Sequence, residues 1–253
     1  MMSELRVALQ LYTVRDETEK DYFGTLAKVA AMGYKAVQVS GMFNHTAKEI
    51  RKCLDDLGLS VAGVHEGLDG MRTDLSAVMD RAATLGTKDI VCPWANETRE
   101  PNAAAYDAFA EELNRIGQAC ADAGFRLSYH NHAFEFQLID GEYGLKRLFA
   151  RTDPRLVKVE CDVGWTYYAG VDPAVWLRGY PGRCPLVHAK DHDKANKDIN
   201  TPVGDGALNW KDILEACREI GSEWLIVEED KPTRPSLHSA AISLRNLQAM
   251  GLS

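Results

Sequence analysis

The sequence has no CxxC pair. Its six cysteines (Cys53, Cys92, Cys120, Cys161, Cys184 and Cys217) stand singly along 253 residues, which excludes a paired-thiolate metal motif and reads as reduced thiols of a cytosolic protein. It has no basic excess. With 29 Lys+Arg against 37 Asp+Glu the formal net charge is −8, so neither a nucleic acid nor an anionic membrane surface is expected as a partner. No apolar run approaches the roughly 18 residues of a membrane span. The opening segment MMSELRVALQLYTVRDE has no basic stretch ahead of an apolar core, so a signal peptide is not expected and the localisation expected is cytoplasmic. Neither GxGxxG nor a Walker A sequence occurs, which leaves dinucleotide and P-loop sites without support. No linker-like stretch or composition shift divides the chain, and a single domain over 1–253 is expected.

What is present is the composition of a globular protein, 45% hydrophobic and 26% charged. β-Branched-rich runs alternate with amphipathic stretches. Strands are expected at Arg6–Tyr12, Ala36–Val39, Ser60–His65, Asp89–Cys92, Arg126–Asn131, Val157–Asp162, Pro185–Lys190 and Glu223–Glu228. Helices are expected near Tyr22–Met32, Ala47–Leu57, Leu75–Leu85, Ala103–Ala123, Gly144–Phe149, Pro173–Leu177, Trp210–Ile220 and Ser236–Met250. Several end on a glycine directly before the next strand, as at Leu57-Gly58 and Ile220-Gly221. Eight β/α units in a chain of about 250 residues fit an α/β fold of one kind, a single (β/α)8 TIM barrel.

In such a barrel the active site lies at the C-terminal ends of the strands. Those ends are polar here. Gln10 closes the first strand, His65 the third, and Trp94 follows the fourth. The fifth runs into His130-Asn131-His132-Ala133-Phe134-Glu135, the sixth ends in Glu160-Cys161-Asp162 with Trp165 after it, the seventh in His188-Ala189-Lys190, and the eighth at Glu228. Six of the seven histidines fall at or just beyond a strand end, with only His238 in a helix. So many carboxylates aimed at one axis would repel without a cation. Carboxylate and imidazole donors without cysteine suit Mn²⁺, Mg²⁺, Co²⁺ or Zn²⁺. The alternative is a set of ion pairs that stabilises the barrel mouth.

The order QLYTVRD, VHEGL, YHNHAFEF, VECDVGW, VHAKDHD and IVEED resembles the xylose isomerase-like TIM-barrel family, the sugar phosphate isomerase/epimerase group, across essentially the whole chain. The resemblance implies one divalent ion, Mn²⁺ first among the four, held by residues ending strands five to eight. Asp162, His188 and Glu228 carry over. Glu135 is expected as the strand-five ligand, with His130 as the alternative; the other reading of Glu135 is a carboxylate that orients His132. Gln38 stands where relatives often carry Glu. The resemblance further implies a sugar or keto-sugar substrate and proton abstraction next to a carbonyl through an enediolate. Glu228 and a strand-five base (His132 or Glu135) would move the proton, with Lys190 stabilising oxyanion charge or paired with Asp162 or Asp191. Gln10, His65, Trp94, His130 and Trp165 are the expected substrate contacts. The same pocket could eliminate a group β to the carbonyl, as keto-sugar dehydratases and C-glycoside-cleaving lyases do. Rival readings are a metal-dependent phosphodiesterase and a non-catalytic sugar-binding protein. The sequence gives no oligomeric state and is compatible with a homo-oligomer.

Overall fold

The computed structural model describes residues 5–252, so the outermost residues of the expected 1–253 unit lie outside it. Eight parallel strands, β1 (Arg6–Gln10), β2 (Ala36–Ser40), β3 (Ser60–His65), β4 (Asp89–Cys92), β5 (Arg126–His130), β6 (Val157–Asp162), β7 (Leu186–Ala189) and β8 (Trp224–Val227), close into a barrel. Around it run α1 (Tyr22–Met32), α2 (Ala47–Leu57), α3 (Leu68–Leu85), α4 (Ala103–Asp122), α5 (Gly144–Arg151), α6 (Val163–Tyr168), α7 (Pro173–Arg178), α8 (Trp210–Ile220) and α9 (Ser236–Ala249). The (β/α)8 barrel read from the sequence is the fold observed. Gly58 and Gly221 stop their helices with φ of 67° and 78°, the left-handed backbone that favours glycine.

Where boundaries differ, a side chain is responsible. β1 stops at Gln10 because Leu11–Val14 turn into a 3-10 helix, and Gln10 Oε1 accepts the Tyr12 amide at 3.1 Å. α3 starts at Leu68, before the expected Leu75, but its backbone breaks at Asp74 (φ −156°), whose Oδ1 caps the Ala77 amide at 2.9 Å. The helix expected from Leu75 is therefore its second segment. The sequence pattern did not disclose α6, the short hairpin of Leu138–Ile139 with Glu142–Tyr143, or the strand pair Asp191–His192 with Asn200–Thr201.

The barrel interior is layered. Ala8, Ala36, Ala62, Val91, Leu186, Trp224 and Ile226 form an apolar cluster. Alternation along each strand puts residues two positions on above them, and Gln10, Gln38, His188 and Glu228 follow Ala8, Ala36, Leu186 and Ile226 in this way. Lateral register aligns the polar layer: Gln10 lies beside Gln38, His130 beside Glu160, and Asp162 beside His188. At the opposite end Arg126 pairs with Asp89 at 2.6 Å and with Glu223, and the Arg6 guanidinium lies 3.7 Å from the Trp224 ring centroid.

α4 approaches the barrel through Gly117, where an added Cβ would lie 2.6 Å from the Leu156 carbonyl oxygen. Gly117→Ala is therefore expected to cost about 1–3 kcal/mol through overpacking. For a chain of this size that lowers Tm by roughly 2–4 °C per kcal/mol. An unchanged melting curve would mean that α4 stands farther from the barrel.

Candidate active site

Glu160 is the hub of the polar layer. Fully buried on β6, its Oε1 lies 2.6 Å from His65 Nε2, 3.0 Å from His188 Nε2 and 3.2 Å from His130 Nδ1. Its Oε2 accepts from Gln38 Nε2 at 2.5 Å. Gln38 Oε1 in turn lies 2.6 Å from His188 Nε2 and accepts from Gln10 Nε2 at 2.7 Å. An amide at position 38 can donate to Glu160 while accepting from two partners. A Glu in the same place would set two carboxylates against each other.

Above this layer Lys190 is fully buried, with Nζ 2.8 Å from Asp162 Oδ2, 3.0 Å from Glu228 Oε2 and 2.7 Å from Asp230 Oδ2. His188 Nδ1 also meets Glu228 Oε2, at 2.9 Å. Burial opposes the charge on His188, but Glu160 and Glu228 outweigh it and raise its pKa to about 10. Burial likewise opposes ionisation of Glu228, yet Lys190 and His188 hold its carboxyl well below the usual range. Burial pushes Asp162 up to about 6 although Lys190 pulls the other way. Burial and neighbouring cationic side chains lower His130 to about 4 and His132 to about 2, so both imidazoles are neutral near pH 7.

One ligand atom from each of His130, Asp162, His188 and Glu228 falls within a group whose members all lie within 4.8 Å of one another. Two imidazoles and two carboxylates are a donor set for Mn²⁺, Mg²⁺, Co²⁺ or Zn²⁺. His130 Nδ1 and Asp162 Oδ2 are buried and make no hydrogen bond of good geometry, although each lies beside a charged group, Glu160 at 3.2 Å and Lys190 at 2.8 Å. These residues fit a divalent ion, and its binding would expel the His188 proton. A second group, His65, His130, Glu160 and His188, shares two members with the first. Its carboxylate is already bonded on both oxygens.

The group lies below a pocket of ≈1300 Å³ at the C-terminal mouth of the barrel. His65, Trp94, His130, His132, Trp165 and Glu228 line it. Trp165 Nε1 and His132 Nδ1 are buried atoms without a hydrogen-bond partner. The Trp165 ring centroid lies 4.8 Å from Lys190 Nζ. Two expectations are corrected. Gln10 does not reach the pocket: it is fully buried and its amide is used by Gln38 and the Tyr12 backbone. Glu135 is not brought to the ligand group. It sits in the 3-10 turn Phe134–Phe136, where Oε1 accepts from Tyr129 OH and Oε2 from the His132 amide, both at 2.8 Å. His130 takes the strand-five corner instead. Of the two pairings open to Lys190, the one with Asp162 is made. Asp191 instead accepts from the amides of His192, Gly204, Gly206 and Leu208 and from Trp210 Nε1.

The sequence reading missed Asp230 and Asn131. Asp230 is two residues past Glu228, so strand alternation carries the signal. Asn131 Oδ1 accepts the Asp162 amide at 3.1 Å and clamps that ligand's backbone; no pattern in the sequence points to it.

A model of the xylose isomerase-like TIM barrel matches residues 26–250. The chain belongs to that family. It is 25% identical over 247 residues to an inosose dehydratase of Geobacillus kaustophilus (strain HTA426), covering 81% of this chain and 79% of that protein. A sugar phosphate isomerase/epimerase from Parabacteroides distasonis ATCC 8503 superposes with a TM-score of 0.84 at 27% identity, over 98% of this chain and 94% of its own. An IOLI protein with a bound zinc atom shares the fold, with a TM-score of 0.78 at 13% identity over 97% of each chain. The relatives are named as enzymes, and this chain gathers acidic and imidazole residues of its own at the strand ends.

Asp162 also caps α6, accepting the Trp165 amide at 2.8 Å. Asp162→Asn keeps the cap, since Asn and Asp rank alike at that position, and removes the charge. Elemental analysis after loading with Mn²⁺ or Zn²⁺ and desalting should show strongly reduced metal, with the barrel still folded by circular dichroism. Full occupancy in that variant would remove Asp162 from the site.

Proposed function

We propose that the protein is a divalent-metal-dependent sugar or keto-sugar isomerase or epimerase that removes a proton next to a carbonyl. The observation that carries this reading is the convergence of His130, Asp162, His188 and Glu228 within 4.8 Å of one another below a pocket also lined by His132. A divalent ion held by these four would act as a Lewis acid on the carbonyl and adjacent hydroxyl of an α-hydroxy ketone or aldehyde.

The chain's own residues supply the rest. His132 is a neutral imidazole on the pocket wall, the form that accepts a proton. Glu228 reaches the pocket from the end of β8, its carboxyl held well below the usual range by Lys190 and His188. These are the two proton carriers, one from the end of β8 and one from the turn after β5. Lys190 keeps Glu228 charged and in place, and adds positive potential beside the developing oxyanion. Trp165 Nε1 offers a donor to a hydroxyl, and the Trp165 and Trp94 rings offer apolar faces to a sugar ring.

A second reading is dehydration. It is favoured by the relative named inosose dehydratase, aligned over 81% of this chain. In that case the carbanion formed after proton removal expels a hydroxyl β to the carbonyl. Both readings share the first step.

The test is to load the protein with Mn²⁺ and offer ketohexoses, inosose and 3-keto-glucosides in D₂O. Exchange of the α-hydrogen without loss of water supports isomerisation, and an unsaturated product supports dehydration. Glu228→Gln should lower kcat by roughly 10²–10⁴, the range for loss of a proton-transfer group. Exchange in that variant at the wild-type rate would exclude Glu228 as a carrier, and no exchange on any of these substrates would leave the sugar-binding reading.

A further inference from the structure

We infer that Glu135 is a positioning residue: its buried carboxylate fixes the turn after β5 so that His132 presents its imidazole to the pocket, and it ties that turn to the β4 loop carrying Trp94. The inference rests on the reading of His132 as a proton carrier.

Glu135 is fully buried and forms no salt bridge among the described residues. A carboxylate in that state is costly unless its oxygens are hydrogen-bonded. One oxygen is bonded to the amide of His132 itself, at 2.8 Å, which holds the residue just past the strand where pleat alternation no longer dictates direction. The imidazole then lies parallel to Phe134, with 5.2 Å between centroids and 9° between planes, and 5.7 Å from the Trp165 ring. The other oxygen accepts from Tyr129 OH.

Tyr129 OH also lies 3.0 Å from Thr98 Oγ1, and because Tyr129 gives its proton to Glu135, the single Thr98 proton goes either to Tyr129 or to the Ala95 carbonyl, likewise 3.0 Å away. Tyr106 OH donates to the Thr98 carbonyl at 2.8 Å. The β4 loop is thus anchored beside Trp94 through the same carboxylate. At the surface Arg99 closes the connection, its guanidinium 5.1 Å from the Trp94 centroid and 4.8 Å from that of Phe134. Two loops thus meet at one buried group.

Glu135→Gln retains an acceptor for the His132 amide, whereas Glu135→Ala removes it. In ¹⁵N-histidine-labelled protein, with His132 assigned through His132→Asn, the Gln variant should keep the His132 amide and ring resonances and the Ala variant should shift or broaden them. Metal content should equal wild type in both. In the D₂O exchange assay Ala should lower kcat by about 10–100-fold, as loss of an orienting partner does, with KM little changed and with rescue in Gln. Tyr129→Phe keeps the shape if Ala fails to fold, and should give a smaller kcat loss with a moved His132 amide. Loss of metal in Glu135→Gln would overturn the inference by making Glu135 a ligand, and so would unmoved His132 resonances in the Ala or Phe variant. If wild type exchanges no proton, the functional reading fails, and the resonances and metal content still decide the role of Glu135.

Discussion

Lys190 binds Asp162, Glu228 and Asp230 through one buried ammonium, and the upper half of the barrel interior is arranged around that contact. Two like charges about 4 Å apart repel by roughly 4 kcal/mol at an effective dielectric near 20. Three such carboxylates could not stay ionised side by side without a cation among them. The fold makes room for it. A Cβ on Gly164 would lie 2.7 Å from the Lys190 stem, so the first turn of α6 can cross the lysine only with glycine there. That turn is capped by Asp162, which is itself one of the three partners. The end of β6, the start of α6 and the end of β7 therefore depend on one another. Truncating one partner of a buried pair of this kind typically costs about 3–5 kcal/mol.

The layer beneath solves the same problem differently. Glu160 is surrounded by three imidazoles and one amide in place of an ammonium. Imidazoles can lose a proton to solvent or to a metal, which an Arg or Lys in this position would not do at neutral pH. His188 belongs to both layers, touching Glu160 below and Glu228 above. A divalent ion in the upper group would replace the His188 proton with a larger charge, leaving Glu160 to balance the imidazoles alone.

Much of this was legible in the sequence. Strand alternation places Glu160 and Asp162 on one face, and the same rule runs from His188 to Lys190 and from Glu228 to Asp230. Helix ends were marked by glycine, and the eight β/α units gave the closed barrel. Legibility failed where alternation stops. Glu135 lies in a 3-10 turn, so its direction is set by Tyr129 and the His132 amide, and five residues of separation from His130 say nothing about it. Gln10 was misjudged for another reason. It does end β1 on the inward face, but the lateral register with Gln38 puts an amide within 2.7 Å, and amide pairs at this depth satisfy each other before any substrate can. Composition could not reveal that Gln38, rather than a carboxylate, is what makes the His188–Glu160 contact workable.

The state of the protons bears on what the site does after the first step. His132 is neutral with a low proton affinity, and Lys190 and His188 hold the Glu228 carboxyl well below its usual range, so each is a weak base as it stands. Its acids are reluctant. Lys190 is held protonated well above the ordinary lysine range by the carboxylates around it, while the His188 proton would already have left on metal binding. Isomerisation or epimerisation needs only that a group which has just taken a proton should return it, and His132, with its low proton affinity, would return one readily. Dehydration needs a proton or a strong electrostatic partner at a departing hydroxyl. Lys190 could offer charge there but would part with its proton at a cost. Elimination would be assisted where the departing oxygen reaches the cationic side of the pocket floor, beside Lys190 and the ligand group.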